Sequence, residues 1–153
     1  MISSAVGIIQ PGHGVASGKN QDDRFPKGTL DMQLPFFKQQ GLDLNLFFLG
    51  TLNISIQDYI FHLGEPSYSF PLIKWSTDLP EENFSFYSCS IQLIKGQHSY
   101  DSLVYWPHPS TKPEFQQDPS VLEVMAPLVE GAKYGDKIII TADSTTLNFI
   151  NRL

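Results

Sequence analysis

The sequence predicts an all-β domain with one or two short helices, and three observations predict it. Eleven glycines and eleven prolines cut the chain into short pieces, which leaves little room for long helices. Between them recur runs rich in β-branched and aromatic residues, bounded by Gly, Pro, Asp and Ser. The clearest, Thr51-Leu52-Asn53-Ile54-Ser55-Ile56, alternates polar and apolar with a period of two, as a half-buried strand does. Strands this short and numerous favour a closed barrel or a sandwich, both of which limit exposed edges.

In chain order the strand-like runs cover residues 5–10, 14–17, 51–57, 59–63, 68–75, 84–94, 99–106, 122–125, 137–141 and 146–150. A helix is expected over 35–40, with Pro35 in its first turn and Gly41 as its stop. A second helical turn is expected over 128–132. The segments 19–27 and 108–119 stand out as loops, and loops of that length in a compact domain are often functional. Gly28-Thr29-Leu30-Asp31 and Gly50-Thr51-Leu52-Asn53 are similar tetrads, but two copies do not make a repeat array.

Composition sets further bounds. A chain of 153 residues fits one domain, spanning 1–153, that buries a core without disulfides. A 41% apolar and 17% charged composition is that of a globular chain. The net charge of −6, with Arg24 and Arg152 as the only arginines, argues against a nucleic-acid partner. Cys89 stands alone, which excludes an internal disulfide and a thiolate zinc cluster, and reads as a small buried hydrophobe. No apolar run reaches the roughly 20 residues that span a bilayer. The first residues lack a basic leader segment, so no membrane partner and a cytoplasmic location are expected.

The chemistry-bearing residues are few. Thr51 and Asn53 aim a hydroxyl and a carboxamide at one face of a strand. Both are neutral oxygen donors suited to magnesium, a hard cation that keeps waters and phosphate oxygens as its other ligands. Gly50 permits a tight turn or a close ligand approach just before them. His13, His62, His98 and His108 show no metal-like spacing; His62 reads as a core or edge residue and His108 as a loop residue open to a ligand. Tyr105-Trp106 suits core packing, or stacking on a planar ring. Lys133 and Lys137 flank a hairpin turn at Gly135-Asp136 and read as solubilising charges.

Three segments in order carry a resemblance: Gly14-Val15-Ala16-Ser17-Gly18, then Gly50-Thr51-Leu52-Asn53, then Leu122-Glu123-Val124-Met125-Ala126-Pro127 followed by Gly135-Asp136. In this order they resemble the archaeal CTP-dependent riboflavin kinases. Pro107-His108-Pro109-Ser110-Thr111 stands where that family has a proline–threonine element. The resemblance implies a compact six-stranded, riboflavin-kinase-like (cradle-loop) β-barrel that transfers a phosphoryl group from CTP to riboflavin, giving FMN. It implies Mg2+ on Thr51 and Asn53, and Glu123 as the catalytic residue at the flavin end. It implies a nucleotide segment of Gly14, Ser17 and Gly18 with the loop residues Lys19, Arg24 and Lys27. Thr111 would meet the flavin phosphate, and Pro127 would open the cytidine side.

The chain also departs from that family. Its nucleotide loop is glycine-rich, of the kind G-x-G-x-G, whereas Lys19-Asn20-Gln21-Asp22-Asp23-Arg24-Phe25-Pro26-Lys27 is charged and carries a proline. The stretch between Thr111 and Glu123 is longer than in the family pattern. Leu128-Val129-Glu130-Gly131 replaces an N-L-R-type run. Three readings follow: a riboflavin kinase-like enzyme, a diverged binder of a flavin- or nucleotide-like molecule without chemistry, and an interaction module. The last is motivated by Phe36, Phe37, Phe47 and Phe48, an apolar set suited to an interface or to a homo-oligomer.

Overall fold

A computed structural model describes residues 1–11, 28–111 and 119–152. The runs at 14–17 and the loop 19–27 lie outside these residues, as does most of the second loop. The described chain is all-β with one helix. The strands are β1 (Ile2–Gln10), β2 (Leu52–Ser55), β3 (Tyr59–Leu63), β4 (Tyr68–Ile73), β5 (Glu82–Leu93), β6 (Tyr100–Pro107), β7 (Val121–Met125), β8 (Lys137–Asp143) and β9 (Leu147–Asn151), and the helix is α1 (Thr29–Gln39).

The expected compact six-stranded β-barrel is corrected. The described strands form a seven-stranded antiparallel sheet in the order β4-β5-β6-β7-β2-β1-β8, with β5 also pairing β8, and a separate two-stranded sheet of β3 and β9. The reason lies in β5. At 12 residues it is longer than any neighbour, so its first half, through Phe84 and Phe86, pairs β4, while Ser90–Leu93 pairs β8. Two cores result. Tyr87, Cys89, Ile91 and Leu93 of β5 join Ile54, Leu122, Val124, Ile138 and Ile140 on one face. Phe84 and Phe86 point the other way, into a second cluster with Leu30, Phe37, Phe70, Leu103 and Met125. Both faces of β5 are therefore buried in its first half, where Glu82 and Ser85 are buried along with Phe84, Phe86 and Tyr87.

β1 shows how small residues set a close approach. Its inward positions are Ser3, Ala5, Gly7 and Ile9, alternating with exposed Ile2, Ser4, Val6 and Ile8. Ser3 Oγ accepts a hydrogen bond from the Phe149 amide at 2.9 Å, which ties β9 to β1. A β-carbon on Gly7 would stand 2.8 Å from the Ser55 carbonyl oxygen and 2.5 Å from Ile54 Cγ2. Gly7→Ala is therefore expected to destabilise the fold by about 1–3 kcal/mol through overpacking against backbone that has nowhere to go. Urea denaturation measures this, and an unchanged midpoint would contradict the close approach.

The helix corrects a boundary. It begins at Thr29, six residues before the expected start, and Pro35 lies inside it and not in its first turn. Gly28, at φ 92°, turns the chain into the helix, and Asp31 and Lys38 lie at the ends where the helix dipole favours their charges. Gly41, at φ 105°, closes it, with the Gly41 amide bonded to the Lys38 carbonyl and the Leu42 amide to that of Phe37. Leu30, Gln33 and Phe37 are its buried stripe. The expected second helical turn is a turn without helix, in which the Ala132 amide meets the Val129 carbonyl. No helix among the described residues is long and apolar enough to cross a membrane.

β4 is an edge strand interrupted by a bulge. Its register with β5 shifts between Phe70 and Ile73, where Leu72 takes φ 54° and its amide bonds the Asn83 side chain at 2.8 Å. Pro71 within this stretch removes a ladder donor, which blunts the edge against pairing with another chain.

Candidate functional site

The site is built by register. β1, β2 and β7 are consecutive antiparallel neighbours, and Gln10 lies opposite Asn53, which lies opposite Glu123. Directly opposed residues share a face of a sheet, so three polar side chains from three strands form one row. Thr51, two residues before Asn53, joins the same face, and its hydroxyl donates to Glu123 Oε1 at 3.2 Å. Gly50 sits at the turn that starts this face, with its amide bonded to the Phe48 carbonyl. The Phe48 amide bonds the Ala126 carbonyl at 2.9 Å, so the start of β2 and the end of β7 are pinned together.

A cavity of 480 Å³ opens at this corner. Thr51, Asn53 and Gln10 line it, together with Ala126 and Pro127 from the end of β7. Ile9, Leu52 and Val124, which alternate with the polar row and belong to the other face of the sheet with the first core, supply apolar wall, and Phe48, Leu128 and Tyr134 stand at its exposed side. Its size is that of a small-molecule site, mostly apolar with a few placed polar groups.

Compared with protein-family models and with curated proteins, the chain matches none.

Behind the row lies a polar interior of a kind the sequence did not reveal. Tyr105 on β6 is buried, and its hydroxyl donates to Gln33 Oε1 of the helix at 2.6 Å. Burial pushes its pKa well above the ordinary tyrosine value, and the charges of Glu123 and Glu82 push the same way, against the Gln33 hydrogen bond. The phenol thus stays protonated and keeps its donor role. Glu82, itself buried, accepts from Trp75 Nε1 at 2.7 Å. Tyr105 is therefore a packed hydrogen-bonding residue, while Trp106 packs edge-to-face on Phe61.

The other sequence candidates separate. Gly14, Ser17, Gly18, Lys19, Arg24 and Lys27 lie outside the described residues. Pro127 lines the cavity. Thr111 does not line it; its hydroxyl accepts the Asn83 amide at 3.0 Å and donates to the His108 carbonyl, locking the turn after β6. His108 Nε2 meets Ser85 Oγ at 2.7 Å, and burial lowers its pKa. Burial pushes the Cys89 thiol up to about 12, which leaves it inert. Phe37 is fully buried, and Phe36 and Phe47 pack against the second core, so of that apolar set Phe48 alone is exposed.

The sequence reading missed Gln10 and Tyr134 and gave Lys133 only a solubilising role. Gln10 ends β1, while Asn53 and Glu123 lie inside β2 and β7, and only the register shows the three to be neighbours. Tyr134 and Lys133 precede the glycine turn at Gly135, φ 93°, and line the cavity. The Lys133 amide bonds Asp136 Oδ2, and a hydrogen bond from Lys95 leads the causes that hold the Asp136 carboxyl below its usual range.

The donor set fits magnesium. Thr51 and Asn53 offer neutral hard oxygen atoms, and the Thr51 hydroxyl directs its hydrogen at Glu123, which leaves the lone pairs of the hydroxyl oxygen for a cation. Among the described residues no group of three or more His, Cys, Asp and Glu converges as a metal cage. Magnesium commonly takes one or two protein ligands and completes its shell with waters and substrate phosphates.

Proposed function

We propose that the chain is a nucleotide-dependent phosphotransferase that converts riboflavin to FMN. The observation that carries the reading is the alignment of Asn53 and Glu123, joined through the Thr51 hydrogen bond, beside a cavity of ligand size that Thr51 and Asn53 line and Glu123 does not. Resemblance of the Gly-Thr-Leu-Asn and Leu-Glu segments to the riboflavin kinases supports the choice of reaction. Thr51 and Asn53 would hold Mg2+, which neutralises phosphate charge when bound. Glu123 orients the primary hydroxyl of riboflavin and accepts its proton. That oxygen attacks the terminal phosphorus as the bond to the nucleoside diphosphate breaks. Positioning and charge neutralisation are most of what a protein contributes to this reaction.

FMN formation from riboflavin with CTP, ATP or GTP at millimolar magnesium tests the proposal. Product is expected with at least one donor. No product with any donor, in protein that binds riboflavin, would leave the second reading, a binder without chemistry, favoured by the charged segment 19–27 in place of a glycine loop.

Asn53→Ala isolates the metal–phosphate point. Nucleotide at a hundred times its Kd, with magnesium, is expected to stabilise the parent protein by about 2.7 kcal/mol. The variant should lose this increment while its own stability changes by about 1 kcal/mol or less, as for a partly exposed polar residue. Thermal melts with and without magnesium read both quantities. An unfolded variant would assign Asn53 to the strand instead.

A further inference from the structure

We infer that the mouth of the cavity stacks the base of a bound nucleotide without reading its edge, so that the site accepts purine and pyrimidine nucleotides alike. The inference rests on the proposed reading of Thr51 and Asn53 as the phosphate end.

Three large apolar side chains converge on this mouth from separate turns. Phe48 is 50% exposed, Leu128 71% and Tyr134 64%. Scattered exposed hydrophobics are ordinary, but three around one cavity form an apolar surface open to a ligand. Backbone hydrogen bonds hold these turns in place. The Phe48 amide is fixed on Ala126, and the Gly135 amide, directly after Tyr134, is fixed on the Ile9 carbonyl at 2.7 Å. The aromatic faces are thus presented by anchored turns.

The polar inventory is divided. Thr51, Asn53 and Gln10 belong to the strand row. Elsewhere the described lining side chains offer only the Lys133 ammonium and the Tyr134 hydroxyl as polar groups. Lys133 attracts an anion, and no carboxylate is among the described lining side chains to oppose one. Strong discrimination between bases needs a site built to hydrogen-bond one pattern of donors and acceptors. Among the described residues the mouth, apolar with a single phenol and an ammonium, is not built that way. Stacking on an aromatic face tolerates any base, because every base has a π-face. The 480 Å³ volume does not restrict the ligand to the smaller ring system.

Calorimetric titration with ATP, GTP, CTP, UTP and inorganic tripolyphosphate, all with magnesium, tests this. The four nucleotides are expected to bind within about threefold of one another and roughly tenfold or more tighter than tripolyphosphate, the difference being the stacked base. Phe48→Ala and Tyr134→Ala, both at exposed positions, should weaken all four nucleotides by a similar factor and leave tripolyphosphate unchanged. A preference above tenfold for one base would overturn the inference, as would aromatic variants without effect or the absence of nucleotide binding at millimolar concentration. The kinase reading fails separately. Base-tolerant binding without FMN formation would reject that reading and keep this one; FMN formed from a single nucleotide, or from tripolyphosphate alone, would do the reverse.

Discussion

Glu123→Gln is expected to lower the rate of FMN formation by about 10²–10⁴-fold, the usual contribution of a positioned general base. The substitution keeps the size of the side chain and an oxygen that still accepts the Thr51 hydroxyl, a bond of 3.2 Å in the parent. It removes the charge that receives the proton. Nucleotide affinity should change little, because the proposal gives the metal and phosphates to Thr51 and Asn53, which line the cavity, and gives Glu123 the riboflavin hydroxyl alone. Single-turnover rates and nucleotide titrations on the same preparation separate the two effects. If the rate holds and the stability falls, Glu123 serves the polar interior, whose Tyr105 responds to its charge.

Phe37→Ala is expected to destabilise the protein by about 3–5 kcal/mol, the range for removing a fully buried phenylalanine ring. Phe37 is the anchor of the helix. Its ring lies 5.5 Å from that of Phe70 and 5.1 Å from those of Phe84 and Phe86, with edge-to-face geometry toward the last two. These contacts join α1 to β4 and β5, and the space left by the ring is walled by side chains of three elements that cannot all close in. Such a loss is a large part of the 5–15 kcal/mol that domains commonly possess. The effect should also reach the site, because Gln33 on the same helix holds the Tyr105 hydroxyl. Urea denaturation gives the magnitude. A change below 1 kcal/mol would mean that the second core repacks without the helix.

Much of the strand content was legible. The runs at 59–63, 84–94 and 122–125 became β3, β5 and β7 with shifts of at most two residues, because alternation and turn residues act locally. The helix was less legible. Its buried stripe includes the polar Gln33, and Pro35 lies within it, so the apolar period of 3.6 is broken twice in 11 residues. Gln33 is buried because Tyr105 from a distant strand satisfies it, which no local pattern encodes.

By itself the sequence determined which segments extend and which chemistry they carry: hydroxyl and carboxamide two residues apart after Gly50, and a glutamate between Leu122 and Val124. Only the tertiary structure decided that these meet. Register is a long-range property, and a slip of one residue between β2 and β7 would move Asn53 and Glu123 to opposite faces. The two similar tetrads make the same point. Gly28-Thr29-Leu30-Asp31 opens a helix and Gly50-Thr51-Leu52-Asn53 opens a strand. Leu30 finds its burial with Phe37 in the second core, seven residues on along a helix, while Leu52 finds a partner across the sheet in Val124. The same three residues begin both segments, and what each packs against selects the backbone it adopts.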